Sequence, residues 1–355
     1  MKYLKFTGCF LLLFSTYIKS LSQTTLNADG KTETYDLINS VLAPGYNVVE
    51  TPDCIHQEVK HVDQIYDSVL QKFVFRFLAH KYPDNDRCKV FDRQRTEIKT
   101  YDKSPSYLKA IKGEKVIYKW RFKISSDFQP SAKFTHLHQI KAVGGEDASM
   151  PLITLTARKA NPNRLELRYA EETTQTTLAQ VQLDGFQGEW VEAEEIILFQ
   201  EAELADYSLS LTRMSDSIEL FNYSSSSLKM WKTNADFLRP KWGIYRSLQD
   251  SNSLKDENVY FSDFSIQEVS STVSYKELNR DFVISPNPVY SHITISPSIL
   301  NHFKKVKIMD MFGREVLSMP LKSNLDVSLL NAGAYVLHLY NHNSSNIFVR
   351  RFLKK

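Results

Sequence analysis

Polar and charged side chains occupy every second position in three short segments that lie far apart in the chain. The segments are Arg93-Gln94-Arg95-Thr96-Glu97-Ile98-Lys99, His136-Leu137-His138-Gln139-Ile140-Lys141 and Lys241-Trp242-Gly243-Ile244-Tyr245-Arg246. Successive side chains of a β-strand point to opposite faces, so this alternation predicts three strands. The residues that would share a face are Arg93, Arg95, Glu97 and Lys99 in the first strand, His136 and His138 in the second, and Lys241 and Tyr245 in the third. Together they predict a polar, positively charged groove across a β-sheet.

Short stretches rich in β-branched and aromatic residues recur along the chain and are separated by turn residues. They are Lys72 to Leu78, Glu114 to Ile124, Leu152 to Ala157, Arg164 to Tyr169, Trp190 to Phe199, Tyr207 to Arg213, Ser217 to Phe221 and Val259 to Ile266. Many short strands at this spacing predict an all-β sandwich or barrel rather than βαβ units. One helix is expected over His56 to Val69, and residues 23 to 52 are expected to be irregular.

The length and net charge of the chain restrict the possible domain count and ligand class only slightly. The chain has 355 residues, more than one compact domain usually needs. Its formal net charge is only +3, so the overall charge does not point to nucleic acid, and no nucleic-acid partner is expected. Any electrostatic attraction for a ligand must therefore be local. We expect a monomer.

The N-terminus has the features of a secretory signal peptide, predicted over residues 1–22. Lys2 and Lys5 precede an apolar core from Phe6 to Tyr17, and Ser20 and Ser22 offer small residues for cleavage. The apolar run is too short for a stable membrane span. The sequence therefore predicts an exported protein, secreted or held at the cell surface after passage through the periplasm and the outer membrane.

Two cysteines remain after signal removal. Cys54 and Cys88 both lie beside loop-forming residues, and an exported protein with an even pair permits one disulfide. The alternative is two free buried thiols. We predict the disulfide. Two cysteines without a nearby histidine pair make a poor zinc site.

The last part of the chain forms a separate small β-domain, predicted over residues 282–355 after a linker at residues 269–281. Four pieces occur there in order: Ser285-Pro286-Asn287-Pro288, Asp310-Met311-Phe312-Gly313-Arg314-Glu315, Ala332-Gly333-Ala334-Tyr335 and the basic end Arg350-Arg351-Phe352-Leu353-Lys354-Lys355. This pattern resembles the C-terminal sorting domain of the type IX secretion pathway of Bacteroidetes. The resemblance implies a small β-sandwich that the export machinery recognises. The alternative is an accessory domain that binds carbohydrate.

The residue types of the groove suggest a reaction class. The chain has no glycine-rich phosphate loop after a strand and no Gly-x-Ser-x-Gly nucleophile motif. A glycosidase needs two carboxylates, and Glu97 is the only acid in the three rows. Arg, Lys, His and Tyr together fit β-elimination beside a uronate carboxylate. In that reaction cations stabilise charge that develops on the carboxylate, a base removes the C5 proton, and an acid protonates the leaving oxygen at C4.

The three motifs resemble those of the jelly-roll polysaccharide lyases of the alginate, glucuronan and ulvan lyase type. That group carries Arg-Thr/Ser-Glu-Leu-Arg, Gln-Ile-His and Lys-x-Gly-x-Tyr-x-Gln strands. This chain has them in the same order, with Lys99, His136 and Ser247 replacing an Arg, a Gln and a Gln. The resemblance implies a concanavalin-like jelly-roll β-sandwich over residues 23–268.

The same resemblance implies roles for individual residues. Tyr245 and His138 are expected to transfer protons, and Arg95 to neutralise the substrate carboxylate. The expected substrate-binding residues are His136, Lys99, Glu97, Arg93, Lys241, Arg246, Gln139 and Lys141, with Arg239 a weaker candidate. If alternation along this strand were regular, Gln139 and Lys141 would face away from the histidines, and a β-bulge would change that. No metal-binding residue and no cofactor are expected, while a structural calcium ion that supports the fold stays open.

The resemblance implies that the substrate is an anionic polysaccharide or oligosaccharide. The positions at which this sequence departs from the family motifs point away from ordinary alginate and toward an ulvan- or glucuronan-like chain. One alternative is a dehydratase that eliminates water from a terminal uronate. Another is a non-catalytic carbohydrate-binding module, which needs the cationic groove but no base. As further alternatives, His136 and His138 could be structural histidines or two metal ligands, although the other histidines of the domain, His56, His61 and His80, lie near its start.

Overall fold

The computed structural model describes residues 23–202, 204–269, 284–295, 299–300, 303–340 and 347–355. The predicted signal peptide and most of the predicted linker lie outside these residues. The helix is α1 (Thr34–Leu42), and the strands of the first 269 residues are β1 (Gln23–Leu26), β2 (Val49–Glu50), β3 (Val62–Asp67), β4 (Lys72–Ala79), β5 (Arg93–Lys99), β6 (Lys115–Ile124), β7 (Thr135–Val143), β8 (Ile153–Arg158), β9 (Arg164–Tyr169), β10 (Thr176–Gln182), β11 (Val191–Leu198), β12 (Asp206–Arg213), β13 (Glu219–Ser225), β14 (Phe237–Ser247) and β15 (Glu257–Val269). Short 3₁₀ turns occur at Ser106–Leu108, Asp184–Phe186 and Ser251–Ser253.

These strands form two antiparallel sheets. The first sheet has the order β13-β12-β11-β6-β15-β4-β3, with β1 also paired to β15, and the second has the order β10-β9-β8-β7-β14-β5-β2. All eight strands expected from the β-branched and aromatic stretches are present. The predicted all-β jelly-roll sandwich is thereby confirmed.

The hydrophobic core of this domain lies between the two sheets. Alternation along β6 buries Tyr118, Trp120 and Phe122 on one side, and along β14 it buries Trp242 and Ile244. Packing one face of each sheet against the other leaves the opposite face free for polar side chains. The face of the second sheet that is turned away from the first sheet is called the site face below.

Two expectations about the N-terminal part were wrong. The predicted helix over His56 to Val69 is turns followed by β3, which pairs antiparallel with β4 along its whole length. Val62, Ile65 and Tyr66 favour a strand, and the ladder to β4 satisfies its backbone. Residues 23 to 52 are not irregular, because they contain α1 and two strands.

The C-terminal part has its own small core. Its strands are β16 (His292–Thr294), β17 (Lys305–Asp310), β18 (Glu315–Pro320), β19 (Asn324–Asp326), β20 (Gly333–Tyr340) and β21 (Ile347–Lys354). They form a four-stranded sheet of order β18-β17-β20-β21 and a two-stranded pair of β16 and β19. Ile293, Ile308, Leu337 and Leu339 are among its buried side chains. Among the described residues, no helix has the length and apolar content that a membrane crossing requires.

Candidate active site

The three alternating segments lie side by side in the second sheet. Strand β14 is in the centre, with β5 on one side and β7 on the other. The register places Tyr245 opposite both Arg95 and His136, and Lys241 opposite both Lys99 and Gln139. Segments separated by up to about 150 residues in sequence thus converge on one surface, as the alternation predicted.

Glu97 lies at the centre of an ion-pair network on the site face. Its carboxylate is fully buried and accepts hydrogen bonds from Arg95 and Gln139, and the Lys241 Nζ lies 2.7 Å from its Oε2. Burial acts to raise the pKa of Glu97, but Lys241 and Arg95 outweigh it and hold the pKa below its usual range. Glu97 is therefore ionised and orients the cations around it.

Glu50 and Asp86 complete this network, and sequence reasoning missed both. Glu50, on the two-residue strand β2, accepts a hydrogen bond from the Lys99 Nζ at 2.6 Å, and its Oε2 lies 2.5 Å from the Lys241 Nζ. Asp86 accepts two hydrogen bonds from Arg95, at 2.9 and 3.0 Å. A short strand and a loop residue have no periodicity that sequence reasoning can detect.

Tyr245 lies between two guanidinium groups. The Nη1 of Arg93 donates a hydrogen bond to its hydroxyl at 3.3 Å, and the guanidinium carbon of Arg95 lies 3.6 Å from the centre of its ring. Burial raises the pKa of the Tyr245 phenol, although Arg95 and Arg93 both act to lower it. Tyr245 is therefore protonated at neutral pH and can donate a proton.

Arg95 is held mainly by the protein itself. Asp86 and Glu97 together engage three of its five N–H donors. Arg93 is about a third exposed and pairs with Asp92 at 2.6 Å. Of the two arginines beside Tyr245, Arg93 is thus the more accessible to a ligand.

His136 also belongs to the site face. Its ring stacks on Phe134 with centroids 4.7 Å apart, and it lies 5.8 Å from the Tyr245 ring. The Nδ1 forms a hydrogen bond of 2.8 Å with the Thr156 hydroxyl. Burial lowers the pKa of His136 to about 3. The imidazole is therefore neutral at neutral pH.

His138 does not join His136 on the site face, which corrects the expectation of a histidine pair. The register of β7 against β8 shifts between His136 and His138, so Leu137 is the extra residue of a β-bulge. A matching shift occurs in β14 between Trp242 and Tyr245. The bulge reverses the faces that regular alternation would give, so Gln139 and His136 share the site face.

His138 lies in the core between the sheets and is fully buried. Its ring packs 4.4 Å from Trp120 and 5.6 Å from Trp242, measured between centroids. The Nε2 contacts the Glu195 Oε2 at 2.8 Å, and the Tyr207 hydroxyl donates to the other oxygen of Glu195 at 2.9 Å. This position separates His138 from any groove ligand, and it also prevents His136 and His138 from sharing a metal ion.

Arg246, a predicted binding residue, is the second predicted site residue that the structure places elsewhere. It is fully buried on the core side of β14, where it donates to Gln94 and to the backbone oxygens of Lys255 at 2.8 Å and Ala79 at 3.2 Å. Burial lowers its pKa to about 10. Its donors connect β5 and the end of β4 to the loop before β15 and do not face the groove.

Further cations continue the site face away from Tyr245. Arg239 pairs in register with Lys141, next to the row of Lys241 and Gln139. Burial lowers the pKa of both Lys99 and Lys141 to about 8. Lys141 and Arg239 donate to the backbone oxygens of Ser149 and Thr100, so their charges stay open to a ligand, whereas Lys99 and Lys241 are paired with Glu50.

Comparison with known proteins separates the chain into two parts. Residues 283–355 match the family model described as the secretion system C-terminal sorting domain. This part is a sorting domain. It directs the protein through the type IX secretion system to the cell surface or the extracellular space, which confirms the predicted localisation and the secretion machinery as a partner.

Solved structures resemble the rest of the chain at low identity. An endo-β-1,4-glucuronan lyase from the fungus Trichoderma reesei is 14% identical over 59% of this chain and 87% of its own, with a TM-score of 0.42. The PL-14 alginate lyase from Aplysia kurodai is 14% identical over 69% of this chain and 98% of its own, with a TM-score of 0.48. An alginate lyase from Klebsiella pneumoniae is 10% identical over 58% and 84%, with a TM-score of 0.41. No curated protein sequence matches the chain.

Removal of the sorting domain should separate export from any activity of the sandwich. We expect deletion of residues 282–355 to abolish delivery to the cell surface and to leave the purified sandwich domain folded, because each part has its own hydrophobic core. Cell fractionation and circular dichroism measure the two effects. A truncated protein that is folded but has lost ligand binding would assign the tail to the site instead.

Proposed function

We propose that the site face binds an anionic saccharide and catalyses β-elimination at a uronate residue. The observation that carries the proposal is the convergence at Tyr245. Arg93 lies at its hydroxyl, Arg95 lies against its ring and the neutral His136 lies across the strand. A protonated phenol and a neutral imidazole beside guanidinium groups are the groups that this reaction requires.

The proposed reaction balances without any oxidant or cofactor. His136 accepts the proton from C5 of the uronate, the electron pair of that C–H bond forms the C4–C5 double bond, and the C4–O bond breaks. Tyr245 donates its proton to the departing oxygen. The low pKa of free His136 reflects burial and nearby cations, and a bound carboxylate beside it would raise that pKa and make the imidazole a better base.

Arg93 is the proposed contact for the substrate carboxylate. Most N–H donors of Arg95 are engaged by Asp86 and Glu97, so Arg95 is not the proposed carboxylate contact. Its guanidinium instead lies against the Tyr245 ring and positions that ring. Negative charge increases on the carboxylate as the proton leaves, so a cation there stabilises the transition state more than the ground state.

The substrate we propose is a chain with several negative charges, such as a glucuronan- or ulvan-like polymer. Strand geometry places the opposed pair of Arg239 and Lys141 roughly 20 Å from Tyr245 along β14. In the loops next to the Arg93 end of β5, a cleft of about 630 Å³ is lined in part by the exposed aromatic rings of Tyr82 and Phe91. Export to the cell exterior suits a polymer that cannot cross the membrane.

A survey of uronate polymers and oligomers tests the proposal. Elimination creates a double bond conjugated to the carboxylate, and its absorbance near ~235 nm follows the reaction directly. Analysis of the products by mass spectrometry distinguishes chain cleavage from loss of water at a terminal uronate, which is the dehydratase alternative. Retained binding with no absorbance change on any uronate substrate would contradict the proposal and favour a carbohydrate-binding module.

Arg93→Ala should weaken both binding and turnover. Loss of a charge-assisted contact of about 1.5–3 kcal/mol corresponds to a fall in kcat/KM of roughly 10- to 100-fold. Arg213→Ala is the matched control, because Arg213 pairs with Asp216 on the other sheet and should leave kcat/KM unchanged. Unaltered kinetics in the Arg93 variant would place the carboxylate elsewhere.

A further inference from the structure

Three histidines surround one carboxylate in the loops beside the site face. His56, His61, His80 and Asp84 each offer a ligand atom, and these four atoms all lie within 4.8 Å of one another. The three imidazole rings lie 5.0 to 5.4 Å apart in edge-to-face arrangements. The candidate lyase chemistry uses none of these residues.

We propose that His56, His61, His80 and Asp84 bind one Zn²⁺ ion. Contacts to the Asp84 carboxylate measure 3.0 Å from the His56 Nδ1, 3.1 Å from the His61 Nε2 and 3.2 Å from the His80 Nδ1. Ligand atoms at tetrahedral positions about 2.0–2.1 Å from zinc stand roughly 3.4 Å apart. The cluster therefore needs only small movements to enclose an ion.

Details around the cluster fit a metal better than a set of hydrogen bonds alone. The Nδ1 of His80 is buried and has no hydrogen-bond partner, although it points toward Asp84. The Nδ1 of His61 forms a 2.6 Å hydrogen bond with Asp53. A carboxylate on the second nitrogen of a histidine is the usual outer partner that orients a zinc ligand.

The donor set selects the class of ion. Three imidazole nitrogens and one carboxylate oxygen suit zinc and similar divalent transition metals, whereas calcium takes six to eight oxygens. Four protein ligands complete a tetrahedral shell, which is typical of a structural site. His61 and Asp84 are buried and His56 and His80 are partly exposed, so the ion can enter from solvent.

The bound ion would fix the loop that supports the groove. Asp84 lies two residues before Asp86, which holds Arg95, and two residues after Tyr82, which lines the cleft. The nearby Cys54–Cys88 disulfide ties the same loop to the segment that carries His56. Zinc and disulfide together would cross-link two stretches of chain, residues 54–61 and residues 80–88.

Metal analysis of the secreted protein tests the proposal. The full chain, produced without a polyhistidine tag, is stripped with EDTA, incubated with Zn²⁺ and dialysed, and bound metal is measured by mass spectrometry. We expect one equivalent of zinc, a rise in Tm of about 5–10 °C at a zinc concentration near 100 Kd, and no comparable rise with Ca²⁺. Co²⁺ should give the visible absorption of a tetrahedral site.

Two ligand variants and one control complete the test. His56→Ala and His80→Ala replace partly exposed side chains, so they should fold and should lose both the zinc equivalent and the Tm rise. His292→Ala removes an exposed histidine of the sorting domain and should keep both. Absence of bound zinc in the parent protein, or one equivalent that persists in both ligand variants, would overturn the proposal.

Discussion

Tyr245→Phe should lower turnover by roughly 10²-fold or more, the usual scale for a positioned acid or base. The substitution keeps the ring, so the contact with the Arg95 guanidinium at 3.6 Å should remain. It removes the hydroxyl and with it the proton that the leaving oxygen would receive. Initial rates from the absorbance near ~235 nm measure the loss.

The control for this variant is Tyr66→Phe. Tyr66 is an exposed tyrosine on β3, an edge strand of the first sheet, and its hydroxyl should contribute nothing to turnover. Both variants should unfold within about 2 °C of the parent protein, because surface or partly exposed hydroxyl losses are usually small. Near-normal turnover of a folded Tyr245→Phe protein would remove Tyr245 from the mechanism.

His138→Ala should act on stability. The replacement leaves the fully buried Glu195 without its histidine partner and opens space beside Trp120. Removing one partner of a buried hydrogen bond typically costs about 1–3 kcal/mol of unfolding free energy, and the cavity left by the imidazole adds to this loss. Urea titration at low temperature measures this loss, and the fraction that remains folded should keep its turnover.

His136→Ala is the matched comparison for His138→Ala, and it should lower turnover rather than stability. His136 lies two residues away on the same strand but on the site face, so its loss should lower turnover by roughly 10²-fold with a smaller effect on unfolding. His138→Gln is a milder second variant, because an amide can still donate to Glu195. If folded His138→Gln protein lost turnover as His136→Ala does, the assignment of the two histidines would be reversed.

Alternation in the sequence was sufficient to predict two of the three strands of the candidate site. Strands β5 and β14 keep a regular period of two through Arg93 to Lys99 and through Lys241 to Arg246, so the faces of their side chains followed directly from spacing. The structure also confirms the predicted disulfide between Cys54 and Cys88. That prediction was possible because turn residues beside both cysteines indicated two loops that could meet. Strand alternation and turn residues are local signals, so the sequence alone is enough to detect them.

The remaining features depend on contacts between distant segments. The bulge at Leu137 adds one residue to β7, and nothing in Leu137 itself distinguishes it from a regular strand residue. The glycine at position 243 was a weak sequence signal of an irregularity in β14. Its φ of +147° and its close approach to the Thr96 backbone exclude a side chain at that position. Glu50 sits on a strand too short for any pattern, and its role appears only when β2 is paired with β5.

The Cys54–Cys88 disulfide also determines when the site face can reach its final form. It closes a stretch of 34 residues that includes Asp86, the residue that holds Arg95. Disulfides form in oxidising compartments and are rare in the cytoplasm, so the newly made chain lacks this restraint. Export therefore acts as a maturation step, because the loop under Arg95 becomes covalently tied only after the protein has left the reducing compartment in which it was synthesised.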